Sequence, residues 1–282
     1  MIDKKLYLNA GQMKSGTTFL YGILRNHPEL YFSYEKEIHY LSNRYGRFHP
    51  LTDYNRLRSA KSFLHPERVE NDNSIELQRK LSWVESYLKK PDDWQWYLDL
   101  FKGAKTDQYI VDFSNLTCTI DPNGLKEINK KFISTKVTYC MRDSVDRVFS
   151  HLKFHLKAAK SSKNIMDMNN DEIKKMILSD NIKPQSEVGV HVNNLIGAFG
   201  EENVRLIKCE DMWADAQKTI NEICNFLKIK DFYVSSEKFS KVNAGPKAEL
   251  DTRIRGLIEE VLCEDIAIER KVKERYRELF IS

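Results

Sequence analysis

The residues best suited to chemistry lie in a short stretch near the start of the chain, residues 11–18, with the sequence G-Q-M-K-S-G-T-T. It holds two glycines, one lysine and three hydroxyl side chains: Gly11, Gly16, Lys14, Ser15, Thr17 and Thr18. A full positive charge and several hydroxyl donors within so few residues favour the binding of a phosphate or sulfate group. The glycines lack a Cβ, which lets an anion approach the backbone closely.

The flanking residues predict a strand before this stretch and a helix after it. Leu6, Tyr7 and Leu8 form a short apolar run that is typical of a buried strand. After the stretch, apolar residues recur at helical spacing: Phe19, Leu20, Ile23 and Leu24. A helix that begins near Gly16 leaves its first N–H groups unpaired and adds partial positive charge from its dipole. Strand, glycine turn and helix together predict a phosphate-binding loop.

The position of the lysine distinguishes this loop from that of most nucleotidases. Their pattern, G-x-x-x-x-G-K-[ST], places lysine directly after the second glycine, whereas here Thr17 follows Gly16 and Lys14 lies inside the loop. A lysine at that place can reach the bridging oxygen or leaving group instead of lying along a triphosphate. A small-molecule kinase that uses ATP and Mg²⁺ stays open as an alternative, because Asp112 ends an apolar run as a metal-binding aspartate would.

A second motif, Y-E-K-E-I-H-Y at residues 34–40, supplies candidates for a general base. An acceptor hydroxyl or amine must lose its proton as the transferred group arrives, and a carboxylate or imidazole within hydrogen-bond reach can take that proton. Glu37 and His39 are the two candidates, with Lys36 beside them.

A third motif, R-D-S-V-D-R-V-F-S, begins at Arg142 and ends at Ser150. Val137–Met141 reads as a strand and the apolar residues after it recur at helical spacing, so Arg142 is expected at the carboxyl edge of a sheet, where α/β folds bind ligands. A guanidinium suits a phosphate because its donors meet two oxygens at once. We expect Arg147, in the same motif, to pair with a nearby acid.

In this order the motifs resemble those of the PAPS-dependent sulfotransferases, most closely the carbohydrate, heparan-type branch and its bacterial or viral relatives. The resemblance implies that 3′-phosphoadenosine-5′-phosphosulfate (PAPS) is the cosubstrate and that its phosphosulfate is held by loop residues: Lys14, Ser15, Gly16, Thr17 and Thr18. It also implies that Arg142 and Ser150 bind the 3′-phosphate. By the same resemblance Glu37 is the base, His39 is the second candidate, and Lys247 belongs to a loop that closes over the nucleotide.

The match to the family is partial at two places where the family usually has proline. Asn115 follows the serine after the central strand, and Ser144 follows Arg142-Asp143. The acceptor is expected to be a carbohydrate or small metabolite that presents a hydroxyl or an amine, and no metal is expected. A non-catalytic nucleotide-binding protein is the other alternative.

Length and composition favour one globular domain over residues 1–282. Of 282 residues, 41% are hydrophobic and 30% charged, as is usual for a water-soluble protein. We expect a three-layer α/β/α domain with a parallel sheet of about four or five strands, similar to P-loop NTPases by the family resemblance. Residues 44–105 and 153–186 show little likeness to the family and are expected to shape the acceptor site.

Charge, cysteines and hydropathy indicate the compartment and exclude several partners. A net charge of +4 gives no indication of nucleic acid or a membrane surface. The five cysteines form no C-x-x-C pair, which favours reduced thiols over disulfides or zinc. No apolar run approaches the roughly 18 residues of a membrane span, and the first strand leaves no room for a signal peptide, so a cytoplasmic protein is expected. The basic stretch at residues 151–163 reads as a solvated helix end or, alternatively, as a surface for an anionic acceptor.

Overall fold

One sheet of parallel strands organises the protein. The computed structural model describes residues 1–161, 163–234 and 250–281, and within them the strands lie in the order β2–β3–β1–β4–β5–β6. The strands are β1 (Ile2–Asn9), β2 (Leu30–Phe32), β3 (Tyr109–Asp112), β4 (Phe132–Met141), β5 (Val204–Lys208) and β6 (Phe280–Ile281). The chain proceeds to one side after β1 and to the other after β4. The loops that follow these two strands therefore flank the crevice where such sheets bind ligands.

The predicted parallel α/β sheet is confirmed, with one strand more than expected. The additional strand is β6, which has two residues and pairs with the edge of β5. So short a strand leaves no periodic pattern in the sequence.

Helices cover the sheet and form an additional layer at one end. They are α1 (Thr17–Leu24), α2 (Tyr40–Tyr45), α3 (Asp53–Phe63), α4 (Pro66–Val69), α5 (Ser74–Leu88), α6 (Trp94–Asp99), α7 (Pro122–Lys131), α8 (Ser144–Ala158), α9 (Asn170–Ile177), α10 (Val188–Phe199), α11 (Cys209–Ala214), α12 (Ala216–Leu227), α13 (Thr252–Val261) and α14 (Cys263–Arg275). Short 3₁₀ turns occupy Asn115–Thr119, Ile165–Asp167, Lys183–Ser186, Glu201–Asn203 and Arg277–Leu279. None of the helices in these described ranges is long and apolar enough to cross a membrane.

The two sides of β1 face two different cores, as the alternation of side chains along a strand requires. Leu6 and Leu8 belong to a cluster with residues of α5, α6, α7 and α10. Tyr7, between them, belongs to a cluster with residues of α1 and α12 on the other face. Helices on both faces of a central sheet make the three layers that the sequence analysis predicted.

The two segments in which the sequence analysis found little family likeness are mainly helical. Residues 44–105 include α3 to α6, whose aromatic residues are largely buried in the core, with Trp96 at 4% and Tyr97 at 0% exposure. Residues 153–186 contain the end of α8 and all of α9, which pack with α13 around a separate apolar cluster. The strand before Arg142 is longer than predicted, because β4 begins at Phe132 and the sequence analysis expected a strand over Val137–Met141.

All five cysteines are free thiols, and four of them are buried. Burial raises the pKa of the Cys140 thiol to about 11, so this side chain is a neutral core residue at physiological pH.

Gly16 should be sensitive to substitution because its backbone is left-handed, with φ of 78°, and an added Cβ would lie 2.6 Å from Cys209 Sγ. Gly16→Ala should lower the free energy of unfolding by roughly 1–3 kcal/mol in urea denaturation. Gly197→Ala is the matched control, since Gly197 lies in α10 with nothing within 4 Å of an added Cβ. That change should stabilise the protein by about 0.5–1 kcal/mol. Equal effects of the two substitutions would contradict this reading of Gly16.

Candidate active site

The phosphate-binding loop lies directly against the carboxyl end of β4. Its backbone continues the pairing of β1, since the Ala10 amide donates to the Thr138 carbonyl at 2.9 Å. Gly11 then passes so close to Cys140 that an added Cβ would lie 2.6 Å from the Cys140 amide nitrogen. Only a glycine permits this approach, and it places the loop beside the strand that ends one residue before Arg142.

The turn into α1 has the form that an anion site requires. Lys14 and Gly16 both have left-handed backbones, with φ of 71° and 78°. A left-handed lysine is uncommon, and such residues concentrate at functional sites. Among the described residues no side chain caps the start of α1, and its first turn carries no acid. The helix start is thus open to an external anion.

Several positive charges converge on Lys14. Burial and the charges of Arg142, Lys153 and Lys157 lower the pKa of the Lys14 ammonium, while Glu37 acts in the opposite direction. The Lys14 Nζ also lies 4.8 Å from the centre of the Phe154 ring. The first and third sequence motifs therefore lie close enough for their charges to interact, and we call the region between them the cleft.

The second motif joins the same cleft through Lys36. The Lys36 Nζ lies 3.3 Å from Thr17 Oγ1, at the first residue of α1, and 3.0 Å from Glu37 Oε1. The other carboxylate oxygen of Glu37 lies 3.2 Å from His39 Nε2. Burial of Glu37 disfavours its charge, but His39 and Lys36 more than offset that effect and lower the pKa of the carboxyl to about 2. Glu37 is consequently ionised at neutral pH.

A buried hydrogen-bond chain fixes His39. The His39 amide donates to Ser114 Oγ at 2.8 Å, and the Ser114 hydroxyl donates to Asp112 Oδ1 at 2.5 Å. Tyr97 donates to the other Asp112 oxygen at 3.0 Å. Burial raises the pKa of Asp112, against the effect of these hydrogen bonds. Both carboxylate oxygens are engaged within the protein, so the one residue that favoured a kinase has a structural task instead.

Arg142 lies where the third motif predicted, at the end of β4. Its guanidinium packs over the indole ring of Trp213 at 5.3 Å and approaches Asp146 at 3.9 Å. Its Nε is buried and has no hydrogen-bond partner among the described residues. Ser150 lies half-buried in the second turn of α8. Lys247 lies outside the described residues.

Three expectations about the surroundings need correction. Arg147 is fully buried, and it donates to Ser186 Oγ at 2.5 Å and lies 3.4 Å from His151 Nδ1 instead of pairing with a neighbouring acid. The basic stretch is not simply a solvated helix end, because His151 is buried and its pKa falls to about 3 through burial and the charge of Arg147. Within the same stretch, the charge of Lys153 lowers the pKa of Lys14, so Lys153 is not isolated in solvent.

Two residues near the loop were missed by the sequence analysis. Gln185 accepts a hydrogen bond from Gln12 Nε2 at 2.9 Å through its carbonyl and one from the Met13 amide at 3.4 Å through Oε1. Trp213, 47% exposed, lies beside Arg142 and close to Gly16. The sequence pattern could not indicate Gln185, because this residue is far from the loop along the chain and contacts it only in the folded protein. Trp213 could have been noticed as a large aromatic residue in the short helix that follows β5.

Comparisons with known proteins agree on one family. The family model described as the sulfotransferase domain matches residues 7–249. A sulfotransferase from Alicyclobacillus acidocaldarius superposes with a TM-score of 0.66 at 17% identity, covering 98% of this chain and 100% of that one. A sulfotransferase domain from the curacin biosynthetic pathway gives 0.57 at 14% identity, covering 96% and 98%.

A sulfotransferase domain from the Synechococcus PCC 7002 olefin synthase gives a TM-score of 0.52 at 16% identity, covering 95% of this chain and 94% of that one. At such identities these structures show the fold alone. No curated protein sequence is significantly similar to this chain. Because the family model covers most of its length, the chain belongs to the sulfotransferase domain family.

Proposed function

We propose that the protein transfers the sulfuryl group of PAPS to a hydroxyl or amine of an acceptor. The observation that carries this proposal is the convergence of Arg142, Lys153 and Lys157 on Lys14, beside the start of α1, which no described side chain caps. Burial first, and then these charges, lower the pKa of the Lys14 ammonium. Cations held this close repel one another, and a bound polyanion relieves that repulsion. PAPS is such a polyanion, with charge at its phosphosulfate end and at its 3′-phosphate.

The residues of the cleft fit the two ends of this molecule. The uncapped start of α1, with Lys14, Ser15, Gly16, Thr17 and Thr18, suits the phosphosulfate. Arg142, with Ser150 on the helix that follows, suits the 3′-phosphate. The buried Arg142 Nε without a partner supports this assignment, because an orphan donor in a cleft favours an anionic ligand. Trp213 offers a flat surface next to it.

The reaction is an in-line displacement at sulfur. The acceptor oxygen or nitrogen forms a bond to sulfur, while the bond between sulfur and the bridging oxygen breaks and its electron pair leaves with the 5′-phosphate. Lys14 and the N–H groups of the helix start stabilise the charge that develops there. Glu37 takes the acceptor proton, and Lys36 holds this carboxylate beside Thr17.

The resemblance to the carbohydrate branch favours a carbohydrate or a small metabolite as the acceptor. The kinase alternative has lost its support, since both oxygens of Asp112 bond to Tyr97 and Ser114.

The function is tested with PAPS and its product, adenosine 3′,5′-bisphosphate (PAP). Wild-type protein should bind PAP more tightly than ATP–Mg²⁺ in calorimetry, and Lys14→Ala should lower the rate of sulfuryl transfer about 10²–10³-fold because it removes a preorganised charge at the leaving oxygen. Lys126→Ala, on the exposed side of α7, is the control and should leave the rate unchanged. Tighter binding of ATP–Mg²⁺, or a near-normal rate in Lys14→Ala, would refute the proposal.

The identity of the base is tested by comparing two substitutions. Glu37→Gln removes the proton acceptor at nearly constant shape and should lower the rate of transfer about 10²–10⁴-fold, with unchanged PAP affinity. His39→Asn should lower the rate of transfer much less. Asparagine is chosen because it tolerates the left-handed backbone of that position, with φ of 59°. A larger loss in His39→Asn than in Glu37→Gln would make histidine the base.

The 3′-phosphate assignment is tested with two nucleotides. Arg142→Ala should weaken binding of PAP by roughly 1.5–3 kcal/mol, the usual value of a hydrogen bond to a charged group. The affinity for adenosine 5′-monophosphate, which lacks the 3′-phosphate, should change little in the same calorimetric titration. Equal losses for both nucleotides would place Arg142 elsewhere.

A further inference from the structure

A pocket of about 430 Å³ opens next to the phosphate-binding loop. Six of the residues that line it are Met13, Phe48, Leu116, His151, Phe154 and Ala158. Met13 directly precedes Lys14, and the Phe154 ring lies 4.8 Å from the Lys14 Nζ. The pocket therefore lies beside Lys14. Its volume lies in the range of pockets that enclose one small molecule.

The walls of the pocket carry little charge. Among the described residues that line it there is no Asp, Glu, Lys or Arg. His151 is 3% exposed, and burial together with the charge of Arg147 lowers its pKa to about 3, so it is neutral at physiological pH. Neither Lys14 nor Lys153 lines the pocket. A polyanionic polysaccharide would find no fixed counter-charge inside the pocket.

The buried side chain of Gln185 is a polar group that would orient an occupant of the pocket. Gln185 lines the pocket and is 1% exposed. Its Oε1 accepts from the Met13 amide, whereas its Nε2 has no hydrogen-bond partner among the described residues. An oxygen on the occupant would satisfy this donor, and an unpaired buried donor is costly. His49, His155 and Asn181 also line the pocket, whose surface is mainly apolar. A mainly apolar lining with a few polar groups is the usual composition of a small-molecule site.

We infer that this pocket holds the acceptor, and that the acceptor is an uncharged, largely apolar alcohol or phenol with a further oxygen, instead of a sugar chain. The inference rests on the proposed function and specifies the substrate class. The hydroxyl oxygen of this molecule forms the new bond to sulfur, the bridging S–O bond breaks with its electrons going to PAP, and the proton passes to Glu37.

The test uses the full chain with radiolabelled PAPS and four acceptors: 2-naphthol, 1-octanol, cellobiose and unsulfated heparan-type polysaccharide. We expect 2-naphthol or 1-octanol to be sulfated with kcat/KM at least tenfold above that of either carbohydrate, with products identified by mass spectrometry. Ala158→Trp fills the pocket and should raise the KM for the apolar acceptor at least tenfold. The PAP affinity of this variant should stay within twofold of wild type.

Ala159→Trp is the matched control, because Ala159 is exposed on the same helix end and does not line the pocket; its KM should stay within twofold. Preference for a carbohydrate, equal effects of the two tryptophans, or no sulfation of either apolar compound by protein that binds PAP would overturn the inference. Failure to bind PAP at all would instead overturn the proposed function, so the two failures are distinguishable.

Discussion

The close approach of Gly11 to the backbone of Cys140 fixes the geometry of the whole cleft. Lys14 follows Gly11 by three residues and Arg142 follows Cys140 by two, so this one contact sets the relation between the two candidate anion sites. The parallel pairing of β1 with β4, in which Leu8 lies opposite Val137 and Asn9 opposite Thr138, holds the contact in register. A shift of one residue in this pairing would turn each side chain of β1 to the opposite face of the sheet. The same pairing thus specifies both the core and the site.

Glu37, the proposed base, is held from a different direction. Asp112, at the end of β3, bonds to Ser114, which receives the amide of His39, and His39 in turn contacts Glu37. Lys36 then joins Glu37 to the start of α1. Two neighbouring strands therefore position the residues of the proposed reaction. The loop follows β1, and the end of β3 supports the proposed base. The left-handed backbones of Lys14 and His39 are part of the cost of this arrangement.

The sequence predicted those parts of the molecule that depend on local pattern. The loop between β1 and α1 could be recognised because its glycines, lysine and hydroxyls lie within eight residues, and Arg142 because it follows an apolar strand directly. The contacts of Gln185 with Gln12 and of Arg147 with Ser186 could not, since the partners in each pair lie dozens of residues apart along the chain. The helix α14 was also missed. Its two buried residues are Glu269 and Val272, and the charge of Glu269 conceals the inward face.

Glu269 illustrates why such a face escapes pattern analysis. It is an acid that is only 4% exposed, and it accepts a hydrogen bond from Ser144 and lies 2.5 Å from Lys273 Nζ. Ser144 occupies the place where the family usually has proline, and a proline there would supply no hydroxyl for this carboxylate. Serine at position 144 therefore accounts for the burial of Glu269, and the buried Glu269 accounts for serine at this position instead of proline. Through this bond the start of α8, and with it Arg142 two residues earlier, is attached to α14.

Gln185 connects the phosphate loop to the pocket beside it. Its carbonyl holds Gln12 and its side chain holds the Met13 amide, while the same residue lines the pocket. A molecule that bonds to Gln185 would therefore act on the backbone that positions Lys14. An apolar occupant would also displace water from the side of the loop where the sulfuryl group is exposed, and water is the acceptor that competes with every productive transfer. A pocket with few charges next to a strongly charged cleft is therefore suited to favour transfer of the sulfuryl group to the acceptor hydroxyl over transfer to water.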